Sequence, residues 1–224
     1  MTEAPFLVAI DGPSGVGKGT VARLLAGRLG VPYFDTGAMY RAVALAVVEG
    51  GVDPGDRERA LEAALAARVE LVPVDGAFEV RLDGRPTEGR IRTPEIGAAA
   101  STVSAYPEVR RRLVDLQRQF GRRHGGVMEG RDIGTRVFPD TPHKFFLDAD
   151  PAVRHERRYV QLLREGRRVG RDEVEREMTE RDERDRTRED SPLTCDESYE
   201  RVDTTELTVE QVVDRLEGLV RARG

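Results

Sequence analysis

Nine consecutive residues carry the sharpest chemistry in the chain. Gly12-Pro13-Ser14-Gly15-Val16-Gly17-Lys18-Gly19-Thr20 alternate glycines with small residues and end on a lysine and a threonine. Glycines let a backbone wrap tightly, so that successive N–H groups converge on phosphate oxygens. A helix opening at Lys18 adds the partial positive charge of its N-terminus. Lys18 itself is a mobile cation, able to follow negative charge between the β- and γ-phosphates of a nucleotide. The bland alternative is a generic glycine turn. The lysine, its spacing and the strand-turn-helix context together favour a phosphate-binding loop. Lysine is also scarce: the chain has 36 Lys+Arg, yet only Lys18 and Lys144 are lysine.

The surrounding pattern supplies the elements that must hold this loop. Phe6 to Ile10 is a short apolar run ending at Asp11, read as a buried parallel strand. From Lys18 to Leu29, Val21, Leu24, Leu25 and Leu29 recur at helical spacing, and Gly30 stops the helix. Val31 to Phe34 reads as a strand and Gly37 to Gly50 as a helix, with residues 57–67 helical again. The texture then changes. Ala77 to Leu82 alternates cleanly and Asp83-Gly84 signals a turn, so 68–92 reads as a small antiparallel patch. Helices are expected at 94–104, 107–121, 151–165, 171–188 and 209–220, with buried strands at 126–128 and 144–147. Ser198 to Asp203 is polar and suits a sheet edge. Strand-helix alternation of this kind implies a three-layer α/β fold.

Composition narrows the function classes. The 224 residues carry a formal charge of -5, against general nucleic-acid affinity. No apolar run is long enough to cross a membrane, and Met1 to Ile10 lacks the pattern of a secretory leader. The single cysteine, Cys195, excludes an internal disulfide and a cysteine-based zinc site, and it reads as incidental. His124, His143 and His155 do not pair at metal-ligand spacing and read as surface or packing residues. A cytoplasmic location and no membrane partner are the expectations.

Four blocks in order carry a resemblance. They are the 12–20 loop, Asp35-Thr36-Gly37-Ala38-Met39-Tyr40-Arg41, Gly130-Arg131-Asp132-Ile133-Gly134-Thr135 and Arg181-Asp182-Glu183-Arg184-Asp185-Arg186-Thr187-Arg188. Together they resemble the bacterial cytidylate kinases, of the P-loop nucleoside monophosphate kinases, over nearly the whole chain. The resemblance implies a parallel-sheet P-loop core (1–35 and 101–224), an enlarged acceptor-binding domain (36–100) containing the antiparallel patch, and a short lid at 154–172. It implies transfer of the γ-phosphoryl of ATP to CMP or dCMP. Gly19 stands where many P-loops place the metal-holding Ser or Thr. That variant is shared with the monophosphate kinases, where Mg²⁺ arrives with ATP and is held through water rather than by direct protein ligands.

The resemblance also implies roles. Gly12 through Thr20 bind ATP. Lys18, with Arg154 and Arg158 of the lid and Arg131, offsets charge on the transferring group. Arg41 and Arg131 hold the acceptor phosphate. Asp132 receives the cytosine amine, Arg110 and Arg188 donate to the ring acceptors, and Thr36 adds a hydroxyl. Ser101, Arg181 and Asp185 hold the sugar. Two positions depart from the family pattern: Thr36 stands where serine is common, and Glu129 where aspartate is common. Read without the resemblance, Arg110-Arg111-Arg112 is a solvated helical run and 181–188 a charge-laced helix. The competing readings are another P-loop small-molecule kinase, or a non-catalytic nucleotide-gated switch. A monomer is expected.

Overall fold

The computed structural model describes residues 6–74 and 77–223. Met1 to Pro5, part of the stretch from which the absence of a leader was read, lie outside them. The chain divides into two units: Val31–Gly126 with Phe6, and Leu7–Gly30 with Val127–Gly224.

The second unit is built on parallel strands. β1 (Leu7–Asp11) is buried along its length and pairs in parallel with β7 (His143–Asp148), Ile10 opposite Phe145. β6 (Gly126–Gly130) neighbours β1 on its other side, and β8 (Glu200–Asp203) completes the order β6-β1-β7-β8. The apolar run of β1 and the Phe145-Phe146-Leu147 centre of β7 are what a strand covered on both faces requires. β8 is polar except for Val202 and takes the edge, as its composition predicts. Helix α1 (Lys18–Leu29) follows the glycine loop. It buries Val21, Ala22, Leu25 and Ala26, while Leu24, expected on the buried face, is exposed. Helix α8 (Val209–Arg223) buries Val212, Val213, Leu216 and Val220, and Arg28 of α1 donates to its Asp214 and Glu217. Helices α6 (Pro151–Arg164) and α7 (Arg171–Thr187) meet through Leu162, Val174 and Met178. A single π-type turn at Ile133–Val137, unmarked by the sequence pattern, leads away from β6.

The first unit holds the antiparallel patch. β3 (Val69–Val74) pairs antiparallel with β4 (Ala77–Leu82), and β4 with the two-residue β5 (Arg85–Pro86). Asp83 and Gly84 both take positive φ, as a tight hairpin turn needs. β4 also lies parallel to β2 (Tyr33–Asp35) at Tyr33 and Ala77, so the patch extends that strand instead of standing apart. Phe78 stacks on Phe34, ring centroids 4.5 Å apart, and meets Phe120 edge-on. Around these strands lie α2 (Thr36–Glu49), α3 (Arg57–Ala66), α4 (Pro94–Val103) and α5 (Pro107–His124). Asp35, Asp56 and Thr93 cap α2, α3 and α4, each accepting a backbone N–H of its helix's first turn.

Candidate active site

The glycine loop is shaped by close approach. Gly12 has φ +149°, and a Cβ there would lie 2.1 Å from the Leu147 carbonyl oxygen. Gly15 has φ +75°, and its Cβ would meet the Arg154 carbonyl oxygen and the Met178 side chain at 2.7 Å. Gly17 caps α1 in the left-handed conformation, with no side-chain cap and no acid in the first turn. The positive end of the helix is therefore not countered from within α1, which suits an anion. Pro13 and Val16 are buried, while Thr20 is exposed.

Lys18 is buried, and its Nζ donates to the Pro13 carbonyl at 2.7 Å. Burial lowers its pKa to about 7, helped by the neighbouring charges of Arg131 and Arg181 and opposed by Glu129 and Asp11. Arg131 donates through Nε to Asp185 at 2.8 Å and reaches Ser14 Oγ at 3.5 Å. Asp185 also accepts from Arg188 at 3.2 Å, and Arg188 Nε is held by the Ser191 carbonyl. Burial pushes the Asp185 carboxyl up, but Arg131, Arg181 and Arg188 outweigh it and bring it to about 2. Asp132, between Arg131 and the π turn, is buried. The second unit thus brings Lys18, Arg131, Arg181, Asp185 and Arg188 into one electrostatic cluster.

Arg154 is bound into that unit. It is 3% exposed and donates to the Ala149 carbonyl at 3.2 Å, the Ser14 carbonyl at 2.9 Å and Asp182 at 2.5 Å. Arg157 spends its donors on Thr204 and the Thr205 carbonyl. Arg158 hydrogen-bonds Gln161 one turn along α6. Arg154 is joined directly to the phosphate loop, where the Ser14 carbonyl accepts from it.

The first unit carries a second set. Thr36 is the buried first residue of α2, behind the Asp35 cap. Asp35 accepts from Arg41 at 2.8 Å and from Arg92 at 3.1 Å. Among the described residues the buried Nε of Arg41 has no partner, so the side chain has a donor to spare. Arg110 is 2% exposed, donates to the Ser104 carbonyl at 3.2 Å and lies 5.3 Å from the Tyr40 ring centroid. Ser101 is buried on α4, one turn before Ser104. The solvated reading of the 110–112 run does not hold for two of its three members. Arg112 closes the end of α3 by donating to the carbonyls of Ala64, Leu65 and Ala67; Arg111 is exposed.

Asp182 escaped the sequence reading. Its carboxylate accepts both Arg154 and the Ser14 N–H, the latter at 3.2 Å. A signal existed: Val174, Met178, Asp182 and Asp185 follow helical spacing, so the two acids continue an apolar stripe. Asp11 and Tyr199 were missed as well.

A family model described as cytidylate kinase matches residues 8–222. The cytidylate kinase of Geobacter sulfurreducens is 46% identical over 220 residues, covering 97% of this chain and 94% of its own. That of Solibacter usitatus is 45% identical over 219 residues, covering 97% and 93%. A solved structure of an uncharacterized protein from Eubacterium ventriosum, 14% identical, covers 97% of this chain and 99% of its own with a TM-score of 0.54, a likeness of fold alone. With its motifs in order and its relatives matched nearly end to end, the chain belongs to the cytidylate kinase family.

Proposed function

We propose that the chain transfers the γ-phosphoryl of ATP to CMP or dCMP, giving ADP and the cytidine diphosphate, through the residues described above. The observation that carries this reading is the glycine loop itself, closed to a Cβ at Gly12 and Gly15 and followed by a helix N-terminus that no acid of α1 counters. Lys18 and Arg131 both reach this loop, Lys18 Nζ at the Pro13 carbonyl and Arg131 at Ser14 Oγ. Backbone N–H groups, a lysine and an arginine gathered on one loop suit the phosphates of a donor and an acceptor.

The acceptor oxygen of a monophosphate is already ionised near neutral pH, so the reaction needs little general-base help. Positioning and charge neutralisation do the work. The loop N–H groups and Lys18 hold the donor phosphates. Arg131, with Arg41, grips the acceptor phosphate in planar forks. Arg154 steadies the loop through Ser14, and Arg158, half-buried on α6, is the lid residue assigned to the moving group. The 154–172 segment acts as the lid, and closure excludes water from competing for the phosphoryl.

Base choice follows from donors and acceptors. The Asp132 carboxylate accepts the cytosine amine, and Arg110 and Arg188 donate to N3 and O2, with Thr36 adding a hydroxyl. Uracil would set a carbonyl against Asp132. Ser101, Arg181 and Asp185 take the sugar. Magnesium fits this donor set as a hydrated cation carried by ATP. Glu129, a half-buried acid acting on Lys18, is the residue that would orient metal-bound water. When bound, Mg²⁺ neutralises charge on the β- and γ-phosphates. Both residue sets belong to one chain, so a monomer suffices, and dependence on ATP fits the cytoplasm.

A coupled assay across the nucleoside monophosphates tests the reading. CMP and dCMP are expected to be turned over well and AMP and UMP poorly. Asp132→Ala is expected to lose CMP use far more than basal ATP hydrolysis. Equal turnover of UMP by the unaltered protein would overturn the base assignment.

A further inference from the structure

Asp11, the last residue of β1, sits immediately before the glycine loop and is fully buried. Its carboxylate is taken up by the turn that follows β6 and by Tyr199. Oδ1 accepts the Ile133 N–H at 3.0 Å, and Oδ2 accepts the Gly134 N–H at 2.9 Å and the Tyr199 hydroxyl at 2.7 Å. The Thr135 side chain acts on the Tyr199 hydroxyl. Tyr199, Ile133 and Gly134 therefore converge as donors on Asp11, and Thr135 of the same π turn bears on Tyr199.

The turn has no slack at this point. A Cβ on Gly134 would lie 2.7 Å from the Tyr199 hydroxyl oxygen and 3.1 Å from the Lys144 side chain. Tyr199 is itself fixed, packed with Phe146 and Leu193, its ring edge-on to Phe146. Leu193 N–H donates to the Asp185 carbonyl at 2.7 Å, so the same packing reaches the acid that holds Arg131. The turn is also anchored on Asp132, whose carbonyl accepts the N–H groups of Arg136 and Val137 at 2.8 and 3.1 Å. Ile133-Gly134-Thr135, the half of its motif with no substrate role, is thus accounted for by this network.

We propose that Asp11 and Tyr199 are positioning residues for acceptor recognition, locking the Ile133–Val137 turn so that Arg131 and Asp132 are presented to CMP in one conformation. The inference rests on the reading of Asp132 as the cytosine ligand. It adds that the strand leading into the donor loop also sets the acceptor groups, through a carboxylate that touches neither substrate.

The test is steady-state kinetics on the full chain, with CMP, UMP and ATP varied in turn. Tyr199→Phe removes one hydroxyl and keeps the ring. It is expected to raise the KM for CMP about tenfold and to narrow the preference for CMP over UMP, the scale of one hydrogen bond to a charged group. The KM for ATP is expected to stay within about twofold, because the loop N–H groups are untouched. Thr135→Val is expected to shift the KM for CMP in the same direction and Thr135→Ser to restore it, which keeps the test alive if Tyr199→Phe does not fold. Equal rises in KM for CMP and ATP, or a Thr135→Val protein with the unaltered KM for CMP, would overturn the proposal. Asp132→Ala serves as the control. If it raises the KM for CMP while the Tyr199 and Thr135 variants do not, the positioning role alone fails; if it too leaves CMP unaffected, the reading of the site fails with it.

Discussion

Asp182 and Arg154 form a buried ion pair at 2.5 Å, their side chains 5% and 3% exposed, and the same carboxylate accepts the N–H of Ser14. One acid on α7 thereby fastens α6 to the phosphate loop. Removing it would strand a buried guanidinium and an N–H together. Asp182→Ala is predicted to lose roughly 3–5 kcal/mol of stability, read from urea unfolding, with Asp182→Asn losing less. A cost under about 1 kcal/mol, the level of an exposed pair, would contradict the buried-clamp assignment.

Lys18 predicts a proton linkage. With its pKa lowered to about 7 by burial and by Arg131, much of Lys18 is neutral in the free protein at pH 8. A bound triphosphate favours the ammonium, so ATP binding takes up a proton. Affinity should fall as pH rises above 7. Calorimetry at pH 8 in two buffers of different ionisation enthalpy should show different apparent heats, and Lys18→Ala should abolish both the difference and phosphoryl transfer. Identical heats in the two buffers for the unaltered protein would sink this prediction.

Asp185 predicts part of the acid limb of stability. Its native pKa of about 2 lies below the ordinary 3.8 because three arginines favour the carboxylate. The sign follows directly: its contribution is present above pH 4 and is lost as pH falls through 2. The size is roughly 2 kcal/mol, from the pKa difference. Asp185→Asn should therefore unfold less steeply between pH 4 and pH 2 than the unaltered protein, measured by circular dichroism at matched ionic strength. An unchanged acid limb would remove Asp185 from the account.

The 110–112 run predicts three different outcomes from one kind of substitution. Arg111→Ala, on an exposed side chain, should change stability by no more than about 0.5 kcal/mol. Arg112→Ala should cost about 1–2 kcal/mol, since three carbonyls at the end of α3 lose their donor. Arg110→Ala should raise the KM for CMP by roughly an order of magnitude or more, the signature of a lost charged donor. Similar effects at all three positions would mean that burial does not separate them.

Most elements were legible in the sequence because each is decided locally. The apolar runs of β1 and β7, the helical stripe Val212-Val213-Leu216-Val220 and the turn at Asp83-Gly84 answer to periods of two or 3.6 residues and to backbone sterics. Leu24 shows the limit. Its spacing fits the buried face of α1, yet Ala22 and Ala26 are buried and Leu24 is exposed, because the packing of α1 and not its sequence selects which side is covered. The phosphate loop was equally plain, since its glycines, lysine and flanking strand and helix are contiguous. What only the tertiary structure decided are pairings across long separations: Asp182 with Ser14, Tyr199 with Asp11, and Asp185 with Arg131. An acid in a run of mixed charges carries no local mark of burial. Its partner is set by where the chain returns, and only there does a solvated-looking residue become a buried one with a role.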